Sequence, residues 1–122
     1  MNETFIICPV LSINNENYGI WTENLGKYIF LDNIIKLNNY FKKLFYIITD
    51  IYSVKVYFEN INVNVKYVTN KCEYNNYYEF FIYCIKKYFL KNCNQENSFA
   101  IIDYKNPYIT VNLLESALKH FQ

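Results

Sequence analysis

The sequence predicts a single α+β domain in which a mostly antiparallel sheet, with a central hairpin, is packed by two long helices and a short C-terminal helix. Three observations lead to this prediction: the chain has 122 residues, it is 52% hydrophobic and 19% charged, and segments with strand and helix periodicity alternate along it. A chain of this length is typical of one domain, and this composition argues against disorder. We therefore expect residues 1–122 to form one domain with one core.

The first predicted strand covers Thr4–Leu11. This segment is short, apolar and rich in β-branched residues. Pro9 lies within it and has no backbone N–H, which places the strand near a sheet edge or places Pro9 near the strand end. Residues 14–19 then predict a turn-rich loop, and residues 18–31 fit either a short helix or a strand.

A long helix is predicted to begin at Asp32. The Asp32 carboxylate can accept hydrogen bonds from the free backbone amides of the first turn, as an N-cap residue does. Apolar residues then recur at steps of three and four positions as far as Ile51, with lysine and asparagine between them. This period predicts a helix over about 32–51.

Residues 54–67 predict a β-hairpin. Apolar residues alternate with polar ones from Val54 to Phe58, and the alternation resumes out of phase at Ile61. A slip of one residue indicates either a tight turn near 59–62 or a bulge in one long strand. The asparagines at this point favour the turn, because asparagine tolerates left-handed backbone angles.

The last third of the chain predicts a helix, a strand and a further helix. The first helix covers about 75–91 and carries a wide apolar stripe that includes Cys84. The strand covers Ser98–Asp103. Near the C-terminus, Asn112 precedes Glu115 by three positions, which is the spacing of a capping box and predicts a C-terminal helix.

The composition indicates an A/T-biased gene, of the kind found on a phage, a plasmid, a mobile bacterial island, or in an A/T-rich virus or parasite. All twelve cationic residues are lysine, and the formal net charge is only +1. Such neutrality disfavours nucleic acid and anionic membranes as partners and leaves only a local basic patch open.

The N-terminus lacks the positive region of a signal peptide, and no window approaches ~20 uncharged apolar residues. We therefore expect a cytoplasmic protein with its four cysteines as thiols.

No motif predicts a metal, a cofactor or a catalytic site. Cys72, Cys84 and Cys93 include no closely spaced pair of the kind that binds zinc. Asp50 and Asp103 could act as paired carboxylates only if the fold brought them together. A catalytic Cys–His site would have to combine Cys8 or Cys93 with His120 and Asp103, and no local motif supports it.

These exclusions leave recognition of another protein as the predicted function. We expect a non-catalytic inhibitor, namely an immunity protein that neutralises a cognate toxin, with a nuclease as the leading target. A phage or viral inhibitor of a host defence protein is one alternative; a single-stranded nucleic-acid-binding protein that uses Lys55, Tyr57 and Lys66 on the hairpin is another. Tyrosine and tryptophan supply large contact areas at protein interfaces, and acidic residues suit a basic partner. The predicted partner-binding residues are Tyr18, Trp21, Glu73, Tyr74, Tyr77, Tyr78, Glu79 and Asp103.

Overall fold

The computed structural model describes residues 4–11, 29–69, 77–88, 98–103 and 108–121. The strands are β1 (Thr4–Val10), β2 (Phe45–Thr49), β3 (Val65–Tyr67) and β4 (Ser98–Ile101). The helices are α1 (Ile29–Phe41), α2 (Tyr52–Asn60), α3 (Tyr77–Tyr88) and α4 (Val111–Phe121), and a 3-10 turn at Lys42–Leu44 joins α1 to β2.

The four strands form one sheet in the order β3-β2-β1-β4, and every neighbouring pair is parallel. The predicted mostly antiparallel sheet is therefore wrong. Parallel neighbours require a connection that returns to the starting edge of the sheet, which a tight turn cannot provide. Here α1 connects β1 to β2, α2 connects β2 to β3, and α3 lies between β3 and β4.

Helices cover both faces of the sheet, and alternate residues of β1 show which face is which. Ile6 and Cys8 belong to a core cluster with residues of α1, α2 and α4, whereas Ile7 belongs to a second cluster with residues of α3. The chain moves from β1 to β3 with helices on one face and returns past β2 and β1 to β4 with α3 on the other. Right-handed crossovers require this arrangement.

Pro9 lies in a central strand, at a position where its missing N–H has no ladder partner. The backbone N–H of Ile102 donates to the carbonyl oxygen of Ile7 at 2.9 Å, so the odd-numbered residues of β1 direct their backbone groups toward β4. β4 ends at Ile101, which is in register with Ile7. Pro9 is thus near the end of its strand, as predicted, although β1 is not a sheet edge.

The predicted helix over 32–51 is wrong in its second half. α1 ends at Phe41, and Lys42 adopts the left-handed conformation with φ of 53°. β2 follows, and four of its five residues are buried because the strand contacts helices on both faces. Such a strand shows no alternation of apolar and polar residues, so its continuous apolar run continued the helical period by coincidence. Asp32 lies within the first turn of α1 and does not cap it.

The predicted hairpin over 54–67 is also wrong. Its first half is α2, in which Val54 and Phe58, four positions apart, are fully buried on one helical face. The helix ends with Asn62 at φ of 63°, while the N–H of Val63 donates to the Phe58 carbonyl and that of Asn62 to the Glu59 carbonyl. This pair of bonds is a Schellman motif, so the phase slip marks a helix end and not a hairpin turn.

The C-terminal third agrees better with the sequence. α3 and β4 lie where they were predicted, and Cys84 is buried on the apolar stripe of α3. α4 is also present, but its cap is Thr110, whose Oγ1 accepts a 3.3 Å bond from the N–H of Leu113. Asn112 lies inside the helix, so the predicted capping box is wrong.

The left-handed conformation of Lys42 predicts a stabilising substitution. Lys42→Gly should relieve about 1–2 kcal/mol of left-handed strain in the folded state. Glycine also gives the unfolded chain more entropy, which lowers stability by about 0.5–1 kcal/mol. The difference should raise the free energy of unfolding by roughly 0.5–1 kcal/mol. Urea denaturation followed by circular dichroism measures the change.

The matched control is Lys43→Gly, at a residue without positive φ. This change should lower stability by about 0.5–1 kcal/mol, since it brings only the entropic penalty. Equal effects at the two positions would contradict a strained Lys42.

Candidate functional site

The carboxyl edge of the sheet, where all four strands end, is the first candidate site. In open parallel sheets with helices on both faces, ligands characteristically bind outside the carboxyl ends of the strands. Asp50 follows β2 and Asp103 follows β4 at this edge, with β1 between them. Two strand spacings separate their backbones by about 10 Å or more, so the fold brings both carboxylates to one edge without making them a close pair.

Acidic residues dominate the described part of this edge. Asp32 lies in the first turn of α1 and Glu79 in the first turn of α3, and with Asp50 and Asp103 they make four carboxylates. Lys55, in the first turn of α2, is a described lysine near this edge, and it is paired with Glu59 at 2.9 Å. Carboxylates at helix N-termini are stabilised by the positive end of the helix dipole, which gives Asp32 and Glu79 a structural role as well.

Asp50 is the buried member of this group, with 6% of its surface exposed. The preceding residue, Thr49, is fully buried, and its Oγ1 accepts a 3.0 Å hydrogen bond from the N–H of Ile51. This bond fixes the turn that leads from β2 into α2. Asp103 and Glu79, in contrast, are exposed to solvent.

The structure locates part of the predicted partner-binding set. Glu79 and Asp103 both lie at the carboxyl edge. Tyr77 and Tyr78 belong to the first turn of α3, where only their backbone is described. The remaining four predicted residues lie outside the described residues: Tyr18, Trp21, Glu73 and Tyr74.

Among the described residues, the opposite, amino edge of the sheet is basic. Lysines occupy the turn after α1 and the last turns of α3 and α4. The acidic Glu59, near the end of α2, is paired with Lys55 at 2.9 Å. The cationic side chains of this edge are Lys42, Lys43, Lys86, Lys87, Lys119 and, when protonated, His120.

A pocket of about 360 Å³ opens at the amino edge, and we call it the amide pocket. Four asparagines and two lysines line it: Asn38, Asn39, Lys42, Lys43, Asn62 and Asn64. Sequence reasoning missed this site because Asn39, Lys42 and Lys43 fitted the polar face of one long helix. Clustering of Asn-Asn at 38–39 and Lys-Lys at 42–43 was the available signal for a helix end.

Lysine and tyrosine side chains surround the edge strand β3. Lys66 Nζ lies 5.3 Å from the ring centre of Tyr46 and 6.0 Å from that of Tyr88. On the other face, Lys55 Nζ lies 5.9 Å from the ring centre of Tyr67. The hydroxyl of Tyr88 donates a 3.2 Å bond to the Tyr67 carbonyl. These contacts partly cover an edge that could otherwise pair with another strand.

The nucleic-acid surface predicted on a hairpin does not have the expected geometry. Tyr57 lies on α2, packed beside the core cluster of α1 and α2. Lys66 lies on the face of the sheet that α3 covers, over the ring of Tyr46. Tyr57 and Lys66 therefore belong to different faces.

The described thiols are poor nucleophiles. Cys8 and Cys84 are both fully buried. Burial, and to a smaller extent the Asp103 carboxylate, raises the pKa of Cys8 far above its usual range. Burial, with Asp50 as a lesser cause, raises the pKa of Cys84 to about 12. His120 lies on the exposed end of α4, and Cys93 lies outside the described residues.

Within the described ranges, no three His, Cys, Asp or Glu side chains form a group that could hold a metal ion. The helices of the same ranges are all too short or too polar to cross a membrane. No protein-family model matches the chain, and neither a curated protein nor a solved structure is significantly similar to it.

The burial of Cys8 and Cys84 predicts that both thiols resist alkylation in the native protein. Treatment of the native protein with iodoacetamide at pH 8 should leave Cys8 and Cys84 unmodified, because thiolate is the reactive form and a pKa of about 12 leaves on the order of one Cys84 in ten thousand ionised. Peptide mass spectrometry measures modification residue by residue. Denaturation in urea is the control and should render both residues reactive; rapid native alkylation of either would contradict the buried positions.

Proposed function

We propose that this protein is a non-catalytic inhibitor that binds another protein through its acidic carboxyl edge, as an immunity protein binds and neutralises its toxin. The supporting observation is the set of three exposed carboxylates, Asp32, Glu79 and Asp103, at the edge where parallel sheets characteristically bind ligands. The buried Asp50 lies at the same edge. An inhibitor acts by occupying a surface and needs no reactive group of its own. The buried Cys8 and Cys84 thiols agree with this mode of action.

A nuclease is the toxin class that this surface fits best. Nucleases bind polyanions through concentrated positive charge, so an acidic protein surface is complementary to their substrate-binding side. Complementary charge accelerates association and disfavours wrong partners. Tyr77 and Tyr78 precede Glu79 in the first turn of α3, and they remain predicted partner-binding residues. Such an inhibitor would act in the cytoplasm, where the toxin reaches its nucleic acid.

An inhibitor of a host defence protein, encoded by a phage or virus, is the second candidate. It would use the same carboxyl edge, since many defence proteins also bind nucleic acid through basic surfaces. The two candidates differ in the partner's identity and not in the residues that contact it. Co-purification of the tagged protein with products of adjacent genes would distinguish them.

The acidic edge predicts which charge reversals impair inhibition. With a nuclease encoded beside this gene, the wild-type protein should form a stoichiometric complex and abolish nucleic-acid cleavage. Glu79→Lys and Asp103→Lys should each slow association about tenfold at low salt, because charge complementarity acts mainly on the association rate. Surface plasmon resonance measures the rates.

Lys43→Glu is the control for these charge reversals, since it changes the same amount of charge at the opposite edge. It should not slow association, and circular dichroism should show that all three variants fold. Equal slowing by Lys43→Glu, or unimpaired binding by both acidic-edge variants, would place the interface elsewhere.

A further inference from the structure

We propose that the amide pocket binds a ribose phosphate, either as a free ribonucleotide or as one unit of an RNA strand. Its volume of about 360 Å³ is within the range of small-ligand sites. The pocket lies at the amino edge, away from the acidic carboxyl edge. This inference is therefore independent of the proposed inhibitor function.

Two helix ends build the pocket. α1 and α2 both finish in a left-handed residue, Lys42 and Asn62, at which the chain turns toward the start of β2 and β3. The Asn64 side chain joins these ends, because its Nδ2 donates 3.1 Å bonds to the carbonyl oxygens of Lys42 and Phe45. The walls are thus held by the fold and not by a single loop.

Asn38 provides a buried acceptor in the pocket wall. Only 9% of its surface is exposed, and its Nδ2 donates a long 3.4 Å bond to the Asn62 carbonyl oxygen. Because a carbonyl oxygen can only accept, this bond assigns the orientation of the amide. The Oδ1 of Asn38 is buried without a donor among the described protein groups. Asn38 lines the pocket, and with rotation about its broad χ2 torsion a ligand hydroxyl in the pocket could donate to Oδ1.

Lys42 and Lys43 provide the positive charge for a phosphate. Neither forms an ion pair with a carboxylate of the described residues. Helix C-termini ordinarily repel anions through their free carbonyl oxygens. At the end of α2, the carbonyls of Phe58 and Glu59 accept bonds from the N–H groups of Val63 and Asn62, and just after α1 the Lys42 carbonyl accepts one from the Asn64 side chain, which weakens that repulsion.

These two features together select ribose phosphate over simpler anions. A carboxylate would satisfy the lysines but would bring no donor to Asn38, and inorganic phosphate could offer only a P–OH group of the same ion that the lysines hold. A ribose places a hydroxyl, which both donates and accepts, beside a phosphate group. Deoxyribose within a DNA strand lacks the 2′-hydroxyl. Lys86, Lys87 and Lys119 extend the positive charge along the amino edge, which suits a strand with several phosphates.

The test compares short fluorescent oligouridine with the matched oligodeoxyuridine by fluorescence anisotropy over a series of salt concentrations. Oligouridine should bind with an affinity that falls as salt rises, and oligodeoxyuridine should bind about tenfold more weakly because the donor to Asn38 is lost. Lys42→Asn and Lys43→Gln should each reduce the slope of log affinity against log salt concentration by about one. Asparagine is used at position 42 because it tolerates the left-handed conformation. Lys36→Gln, an exposed position in the middle of α1, is the charge-matched control and should leave the slope unchanged.

Asn38→Leu separates a binding role from a structural one. Leucine is similar in size and removes the unpaired acceptor, so the variant should keep or raise the thermal midpoint. It should also lose the preference for oligouridine over oligodeoxyuridine. A lower midpoint with the RNA preference retained would assign Asn38 a purely structural role and overturn the hydroxyl contact.

Uridine monophosphate distinguishes the two sources of the ligand. Calorimetric affinity for the mononucleotide equal to that for the oligomer would identify a free ribonucleotide, and much tighter oligomer binding would identify an RNA strand. The proposal fails if neither binds at low salt, if RNA and DNA bind equally, or if Lys36→Gln weakens binding as much as Lys42→Asn. Binding of poly-glutamate in place of RNA would also overturn it.

Discussion

Burial of β1 on both faces is the constraint on which the rest of the described structure depends. Residues Ile6 to Leu11 are all buried, with alternate side chains contacting α3 on one face and α1 and α2 on the other. Because β2 and β4 both pair with β1 in parallel, every neighbouring strand needs a helical crossover. The two core clusters and the positions of the strand ends follow from this one strand. Thr4 and Ser98, whose hydroxyl oxygens lie 2.8 Å apart, join the starts of β1 and β4.

Parallel strands also separate the charges of the molecule. All strands end at one edge, so the helices that follow them begin there and end at the opposite edge. Acidic residues in the first turns of α1 and α3, and lysines in the last turns of α3 and α4, complement the helix dipoles and lie at opposite edges of the sheet. Within the ranges that the structure describes, the carboxyl edge is therefore acidic and the amino edge basic.

The sequence predicted the elements whose pattern is local, and it failed where burial on two faces removed the pattern. The strands β1 and β4 lie within the segments predicted as strands, Thr4–Leu11 and Ser98–Asp103, and α3 was predicted from its stripe around Cys84. β2 was taken as part of a helix because a strand between two helical layers has no polar face. For the site, Glu79 and Asp103 were chosen as single acidic residues. Their common edge could not be seen without the strand order.

Length, composition and local periodicity by themselves determined that the chain mixes helices and strands, that Cys84 faces a core, and that the total charge is nearly neutral. Tertiary structure decided the direction of the sheet, the end of α1 at Lys42 and the meeting of Asn38 with Asn62 in one pocket. The physical reason is distance along the chain. Propensity and period act over a few neighbouring residues, whereas strand order and pocket walls depend on contacts between segments that the sequence holds far apart.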